Sequence, residues 1–256
     1  MRIVIPTRGR IEKQLTLTYL PKELQKQTDL VCPRREAPAL QSLFPLVNVV
    51  IQPDDNMTIT KKRAWIMKEW EQKGYSKLMM FDDDLRFAAR IDSSSTKLKD
   101  LSAAEVLPYF YTVIEKLSPK YPHVGFGQRQ GNNTRAEGWQ DIARMTYSLG
   151  YYLPIVNKEC ELGRIETRED MDITLQLLRK GYPNSVFHTC VVDQRRYGSS
   201  GGCEGQRTIE KSNEDAKRLA ELHPGFVKPV DKEYGTSSRT EVICYWQKAF
   251  QNSKKV

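Results

Sequence analysis

Three consecutive carboxylates, Asp82-Asp83-Asp84, follow directly on the apolar run Leu78-Met79-Met80-Phe81. A short apolar run of this kind suits a strand buried in a sheet, and a block of charge must end it. In open α/β sheets the carboxyl ends of strands are where ligands sit. If the chain stays extended, Asp82 and Asp84 point the same way. Two hard oxygen ligands on one side of a strand end suit Mg²⁺ or Mn²⁺ carrying a phosphorylated substrate. A solvated acidic turn accounts for a bare Asp-x-Asp equally well, and the surrounding sequence has to favour one reading over the other.

Four further stretches carry chemistry-bearing residues. Pro6-Thr7-Arg8-Gly9-Arg10 follows the first apolar run and places two arginines where a strand meets a helix; arginine there grips a phosphate or a base face, or makes a solvated basic turn. Glu169-Asp170 opens a helical pattern, where a carboxylate can act as general base on an acceptor hydroxyl. The competing reading is a capping box formed by Thr167 and Asp170. His188 stands alone on a strand-like run, as a third ligand beside two aspartates or as a hydrogen-bonded buried histidine. The run Arg195–Arg207 is rich in Gly and Arg, the composition of a phosphate-gripping lid and also of a plain surface loop.

The elements that position these residues follow from periodicity. Ile3-Val4-Ile5-Pro6 reads as a strand, a helix spans about Leu15 to Gln25 across Pro21, and Leu30–Cys32 and Val47–Ile51 read as strands. Thr58 to Gln72 reads as a helix with Arg63, Ile66, Met67 and Trp70 on one face, so Arg63 can reach the crevice of the aspartates. The strand ending in the acids comes next. This order predicts an α/β fold with a mostly parallel central sheet and helices on both faces. Residues 88–102 read as a polar loop, and Ser102 and Glu105 have the spacing of a capping box before a helix. His123–Gly127, Tyr147–Val156 and Ser185–Asp193 read as strands. Met171, Leu175 and Leu178 share a helix face, and a charged helix ends near Leu222 before a strand-like Val242–Trp246.

With 39% hydrophobic residues, 256 residues can bury a core. No apolar run approaches the roughly 20 residues of a membrane span, and Met1–Pro6 stops being apolar too early for a signal peptide. Five scattered cysteines without Cys-x-x-Cys argue against a disulfide framework or a structural zinc site and fit a reducing cytoplasm. A net charge of +8 permits a polyanionic partner such as DNA without requiring one. There is no nucleophile elbow, Walker loop or Gly-x-Gly-x-x-Gly. A metal, a phosphate grip and a base without a nucleophile point to group transfer from a nucleotide-linked donor.

In that order, Pro6-Thr7-Arg8-Gly9-Arg10, Phe81-Asp82-Asp83-Asp84 and Arg168-Glu169-Asp170-Met171-Asp172 resemble the corresponding parts of GT-A fold glycosyltransferases. The nearest likeness is to the phage TET-associated glycosyltransferases, themselves similar to the base J glucosyltransferase. The resemblance implies one GT-A-like domain over residues 1–256, with a nucleotide-sugar-binding half (1–87), an acceptor and catalytic half (88–210) and a C-terminal helix and strand (211–256). It implies inverting transfer of a sugar from a UDP-sugar to a hydroxymethyl group of a DNA pyrimidine such as 5-hydroxymethylcytosine. Asp82 and Asp84 would hold Mn²⁺ or Mg²⁺, with His188 or its competitor His223 completing the site. Asp170 would take the acceptor proton. Pro6, Thr7, Arg8, Arg10, Arg63, Asp82, Asp83 and Arg207 would line the donor. The basic loops Gln128–Arg135 and Arg195–Arg207 are, by their composition, the candidates for gripping the DNA backbone. Phage origin would place the enzyme in the cytoplasm of an infected bacterium. The competing activities are transfer to a polysaccharide or protein, metal-dependent nucleotidyl transfer, and non-catalytic DNA binding.

Overall fold

Strand β1 (Arg2–Pro6) lies between β2 (Thr28–Cys32) and β4 (Lys77–Phe81), with β3 (Asn48–Ile51) outside β2; all four are parallel. The computed structural model that shows this describes residues 1–92, 96–194, 208–234 and 237–253. The sheet continues from β4 through β9 (Ser148–Tyr152), β7 (His123–Gln128), β10 (Asn184–Gln194), β5 (Leu85–Arg90) and β6 (Leu98–Asp100). A short β8 (Trp139–Asp141) also pairs with β10. Strands β5, β8 and β9 run against the others, so the sheet is mostly parallel as the alternation of elements implied.

Alternate residues of the buried strands face opposite sides, and each side has its own core. Ile3, Ile5, Phe81 and Phe126 pack against helices α1 (Leu15–Thr18), α2 (Lys22–Gln25), α3 (Ala37–Leu43) and α5 (Ala103–Lys116) through Leu17, Leu24, Leu40 and Phe110. Val4, Met80 and Leu149 pack against α4 (Ile59–Gln72), α6 (Leu153–Glu159) and α7 (Glu169–Arg179) through Trp70, Val156 and Leu177. Each such side chain, fully buried, contributes about 1.5–3 kcal/mol. The face of α4 seen in the sequence is the buried one, and Thr58 caps it by accepting from Lys61 N. Trp70 Nε1 donates to Asp29 Oδ2 at 2.7 Å, and Asp29 also takes Arg2 and Asn48, which locks α4 to β1, β2 and β3. A third core joins Leu175 and Leu178 of α7 to helix α8 (Ile209–Leu222), the hairpin β11 (Val227–Tyr234)–β12 (Ser237–Cys244) and α9 (Trp246–Gln251).

Several expected elements take other forms. The helix expected over Leu15–Gln25 is two short helices broken at Pro21, because proline cannot continue the hydrogen-bond ladder. Helix α3 lies between β2 and β3, where none was expected. The polar stretch 88–102 contains the end of β5 and all of β6. The strand expected over Tyr147–Val156 stops at Tyr152, and Pro154 starts α6. The strand-like Val242–Trp246 is the end of the β12 hairpin and the start of α9. The box expected between Ser102 and Glu105 is present. Among the described residues no helix is long and apolar enough to cross a membrane.

Candidate active site

The acids after β4 do not continue the strand. Asp83 and Asp84 form the tight turn into β5, so the extended geometry that would aim Asp82 and Asp84 together is absent; contiguous aspartates favour such turns. Thr16 of α1 pins the turn: its Oγ1 donates to Asp82 O at 2.6 Å and accepts from Leu85 N at 2.9 Å. The carboxylates then diverge. Asp82 Oδ1 accepts from Arg63. Asp83 takes the Thr7 hydroxyl and Arg10, both at 2.6 Å, and Asp84 Oδ2 takes the same Arg10 nitrogen at 2.7 Å. Burial pushes the Asp83 carboxyl up to about 6, against the pull of Arg10 and Thr7.

The loop after β1 is thereby fastened to this turn. Gln14 Nε2 donates to Thr7 Oγ1, Lys62 Nζ donates to Thr7 O, and Glu36 accepts from Gly9 N. Thr7 and Arg10 are thus engaged within the protein, and Pro6 ends β1 in register with Val31. Four buried atoms nearby have no partner among the described residues: Arg8 Nη1, Gln14 Oε1, Gln52 Oε1 and Asp84 Oδ1. They lie just beyond the carboxyl ends of β1, β3 and β4. Buried polar atoms are normally hydrogen-bonded, so orphans at the ligand edge of an α/β sheet mark places built for something polar. The unpartnered Asp84 Oδ1 fits a hard cation. His188 and His223 are not brought to it, and among the described residues no three His, Cys, Asp or Glu side chains gather to hold a metal.

Arg63 connects the turn to α7. Its Nη2 donates to Asp82 and its Nη1 to Glu169, and the two carboxylates hold the guanidinium well above its ordinary pKa against the cost of burial. Asp170, the next residue, accepts from Met171 N at 2.8 Å. Burial, then the charge of Glu169, push its carboxyl up to about 6. The capping box expected from Thr167 and Asp170 is not formed. Thr167 N and Oγ1 both donate to Asp215 of α8, and the residue before the helix, Arg168, is in the left-handed region at φ 63°. Arg168 is held there by Ser212 O at 3.0 Å and Thr240 O at 3.1 Å. Asp82, Arg63, Glu169 and Asp170 line one cavity of about 390 Å³, with Tyr147, Arg144, Arg239 and Glu241 on its other walls. Strained backbone of this kind collects at functional sites, and Tyr147, at φ 64°, is a second instance in the same cavity.

A sequence model of the family described as TET-Associated Glycosyltransferase matches residues 1–202. The chain belongs to that family. As a member it is a glycosyltransferase. No curated protein matches the sequence. Among solved structures, it is similar to mannose-1-phosphate geranyltransferase from Thermus thermophilus, at 12% identity and a TM-score of 0.37, over 73% of this chain and 57% of that one. It is likewise similar to a protein described as a nucleotide-diphospho-sugar transferase from Desulfovibrio desulfuricans, at 12% identity and a TM-score of 0.39, over 70% and 77%.

The remaining candidates in this glycosyltransferase lie elsewhere. His188 Nε2 donates to Gln140 Oε1 at 3.0 Å, and its carbonyl accepts from Asn132 Nδ2 at 3.2 Å. Burial, then Arg135 and Arg90, hold its imidazole below the usual range. It lines a second cavity, not the one with Asp82. His223, fully buried, donates to Asp172 Oδ1 at 2.7 Å and accepts from Arg179, which ties the end of α8 to α7. Neither histidine is a ligand beside the aspartates. Arg207 and the run 195–207 lie outside the described residues. Sequence reasoning missed Tyr147, Arg144, Arg239 and Glu241; they enter the cavity through tertiary contacts, and no local pattern announces them.

Proposed function

We propose that this protein moves a sugar from a UDP-sugar to the hydroxymethyl group of a modified pyrimidine in DNA, with inversion at the sugar carbon. The observation that carries the donor half is the set of buried, unpartnered atoms beyond β1, β3 and β4, Arg8 Nη1 and Asp84 Oδ1 foremost. Arg8 grips the diphosphate as a charge-assisted donor. Gln52 Oε1 accepts an N–H from the nucleotide base. Asp84 is the residue to hold Mn²⁺ or Mg²⁺; Mg²⁺ in particular asks for only one or two carboxylates when phosphates supply the rest. The chemistry such an ion supplies when bound is neutralisation of the charge left on UDP.

The acceptor oxygen forms its bond to the anomeric carbon as the bond from that carbon to the β-phosphate oxygen breaks, and UDP departs with the electron pair. The acceptor proton goes to the Asp170 carboxylate. A carboxyl that titrates near 6 is deprotonated at neutral pH and still basic enough to take that proton. Arg63 holds the Asp82 and Glu169 carboxylates in place on either side. DNA as acceptor accords with the net charge of +8.

The test is incubation with UDP-glucose or UDP-N-acetylglucosamine, Mn²⁺ and DNA containing 5-hydroxymethylcytosine, followed by mass analysis of the nucleosides. A gain of one sugar residue on the modified nucleoside is expected. No gain on DNA, with transfer to a glycan or protein instead, refutes the acceptor. Release of pyrophosphate from a nucleoside triphosphate refutes the reaction class.

A further inference from the structure

The second cavity, about 710 Å³, is within the range of small-ligand pockets. It adjoins the Asp170 cavity: Arg144 and Thr146 line both. Its walls come from the loop after β7, from β10 and from the residues that open α9, which lie beyond the stretch matched by the family. Three properties define what it takes. First, among the described residues no Asp or Glu lines it, while Arg135, Arg144 and Lys248 do. A cationic ligand is disfavoured and an anionic backbone is welcome. Second, the aromatic rings of Tyr245 and Trp246 stand in the wall with the amides of Gln130, Asn132, Gln140 and Gln247. Rings plus amide forks are the equipment for stacking on and hydrogen bonding to a flat heterocycle. Third, two of the lining residues, Asn132 and Thr146, are only 1% and 3% exposed, and each keeps a buried atom without a partner among the described residues, Asn132 Oδ1 and Thr146 Oγ1.

Asn132 is held from several sides. Its Nδ2 is spent on the His188 carbonyl, and Arg90 donates to its own carbonyl at 3.1 Å. His188 in turn uses Nε2 on Gln140. The ring needs the space left by Gly127, where an added Cβ would come within 2.5 Å of His188 Nδ1. His188 is therefore a positioning residue that aligns two amides, and the acceptor oxygen of Asn132 is left over.

We infer that this cavity receives the acceptor pyrimidine after it leaves the base stack. Asn132 Oδ1 takes an N–H of the base, the Thr146 hydroxyl meets a second polar atom of its edge, and Trp246 supplies a face to stack on. The hydroxymethyl group then points past Arg144 toward Asp170. This rests on the proposed DNA acceptor and adds the site that reads the base.

The experiment compares the affinity of the full-length protein for a short single-stranded oligonucleotide bearing one 5-hydroxymethylcytosine with that for the same strand abasic at that position. Wild type binds the base-bearing strand more tightly. Trp246→Leu, which keeps apolar bulk but loses the ring, narrows that gap by on the order of tenfold. Thr146→Val narrows it by about fivefold without lowering the unfolding midpoint, since the hydroxyl it removes has no partner among the described residues. Equal binding of the two strands by wild type, or a gap unchanged in both variants, overturns the inference. The mass assay on the same strand separates the two ideas. A base-dependent gap without sugar transfer leaves the pocket standing and removes the proposed reaction; transfer without a gap does the reverse.

Discussion

Asp170→Asn is expected to slow transfer severely and, at neutral pH, to stabilise the protein. The Asp170 carboxyl is lifted from an ordinary 3.8 to about 6. The folded state therefore holds the proton more tightly than the unfolded chain does, and stability is fully present below about pH 4 and lost as the pH rises through about 6. At about 1.4 kcal/mol per tenfold, the charged carboxylate costs at most about 3 kcal/mol at pH 7. Asparagine keeps an oxygen for Met171 N, which Asp170 holds at 2.8 Å, and removes the repulsion from Glu169. A gain on the order of 2 kcal/mol corresponds to roughly 4–8 °C in a domain of this size. Thermal unfolding of wild type and variant from pH 4 to 8 reads this directly: the difference in midpoint should be present at pH 7 and vanish near pH 4. The transfer rate should fall on the order of 10²–10⁴-fold. The wild-type acid limb near pH 6 should disappear from whatever rate remains. A variant that is less stable than wild type at pH 7, or whose rate stays within about tenfold, refutes Asp170 as a base held at a cost to the fold.

Asp84→Ala should eliminate Mn²⁺ binding in the presence of UDP and with it transfer, while circular dichroism stays native, because Arg10 retains its 2.6 Å contact with Asp83; titration calorimetry measures the first effect. Arg63→Met strands the Asp82 and Glu169 carboxylates and should cost about 3–5 kcal/mol in denaturant unfolding. It also removes the charge that holds Asp170 down, so any residual activity should shift its acid limb to higher pH. Asp29→Ala, at the opposite end of the sheet, deprives Arg2, Asn48 and Trp70 of their shared acceptor. It should destabilise by a similar amount while leaving the pH profile of transfer unmoved.

Where a segment's pattern is local, the sequence shows it. The α4 stripe carried Arg63 to the right crevice, because the period of 3.6 and the burial of Ile66, Met67 and Trp70 fix which way that face turns. The α7 face and the Ser102 box were legible for the same reason. Misreadings cluster at prolines and at contacts distant in sequence. Pro38 and Pro154 look like breakers yet sit in the first turns of α3 and α6, where a missing N–H costs nothing. Strand β5 was hidden because Arg86 and Arg90 interrupt its apolar pattern, although the strand is buried between β10 and β6. The divergence of Asp82 and Asp84 depends on Arg63 and Arg10, which approach from 19 and 74 positions away. His188 depends on Gly127, Asn132 and Gln140 in the same way. That acids end β4 and that carboxylates open α7 was readable; which partner each charge would find was not.

The left-handed Arg168 has a practical consequence for anyone recombining relatives of this enzyme. The residue that sets the entry to α7 is gripped from Ser212 and Thr240, and the tail that supplies them also contributes Tyr245 and Trp246 to the second cavity. Grafting a foreign tail after residue 208 should leave intact the nucleotide handling proposed for the N-terminal strands. It should change which acceptors are modified, and it should misplace the base unless position 168 is exchanged together with the tail.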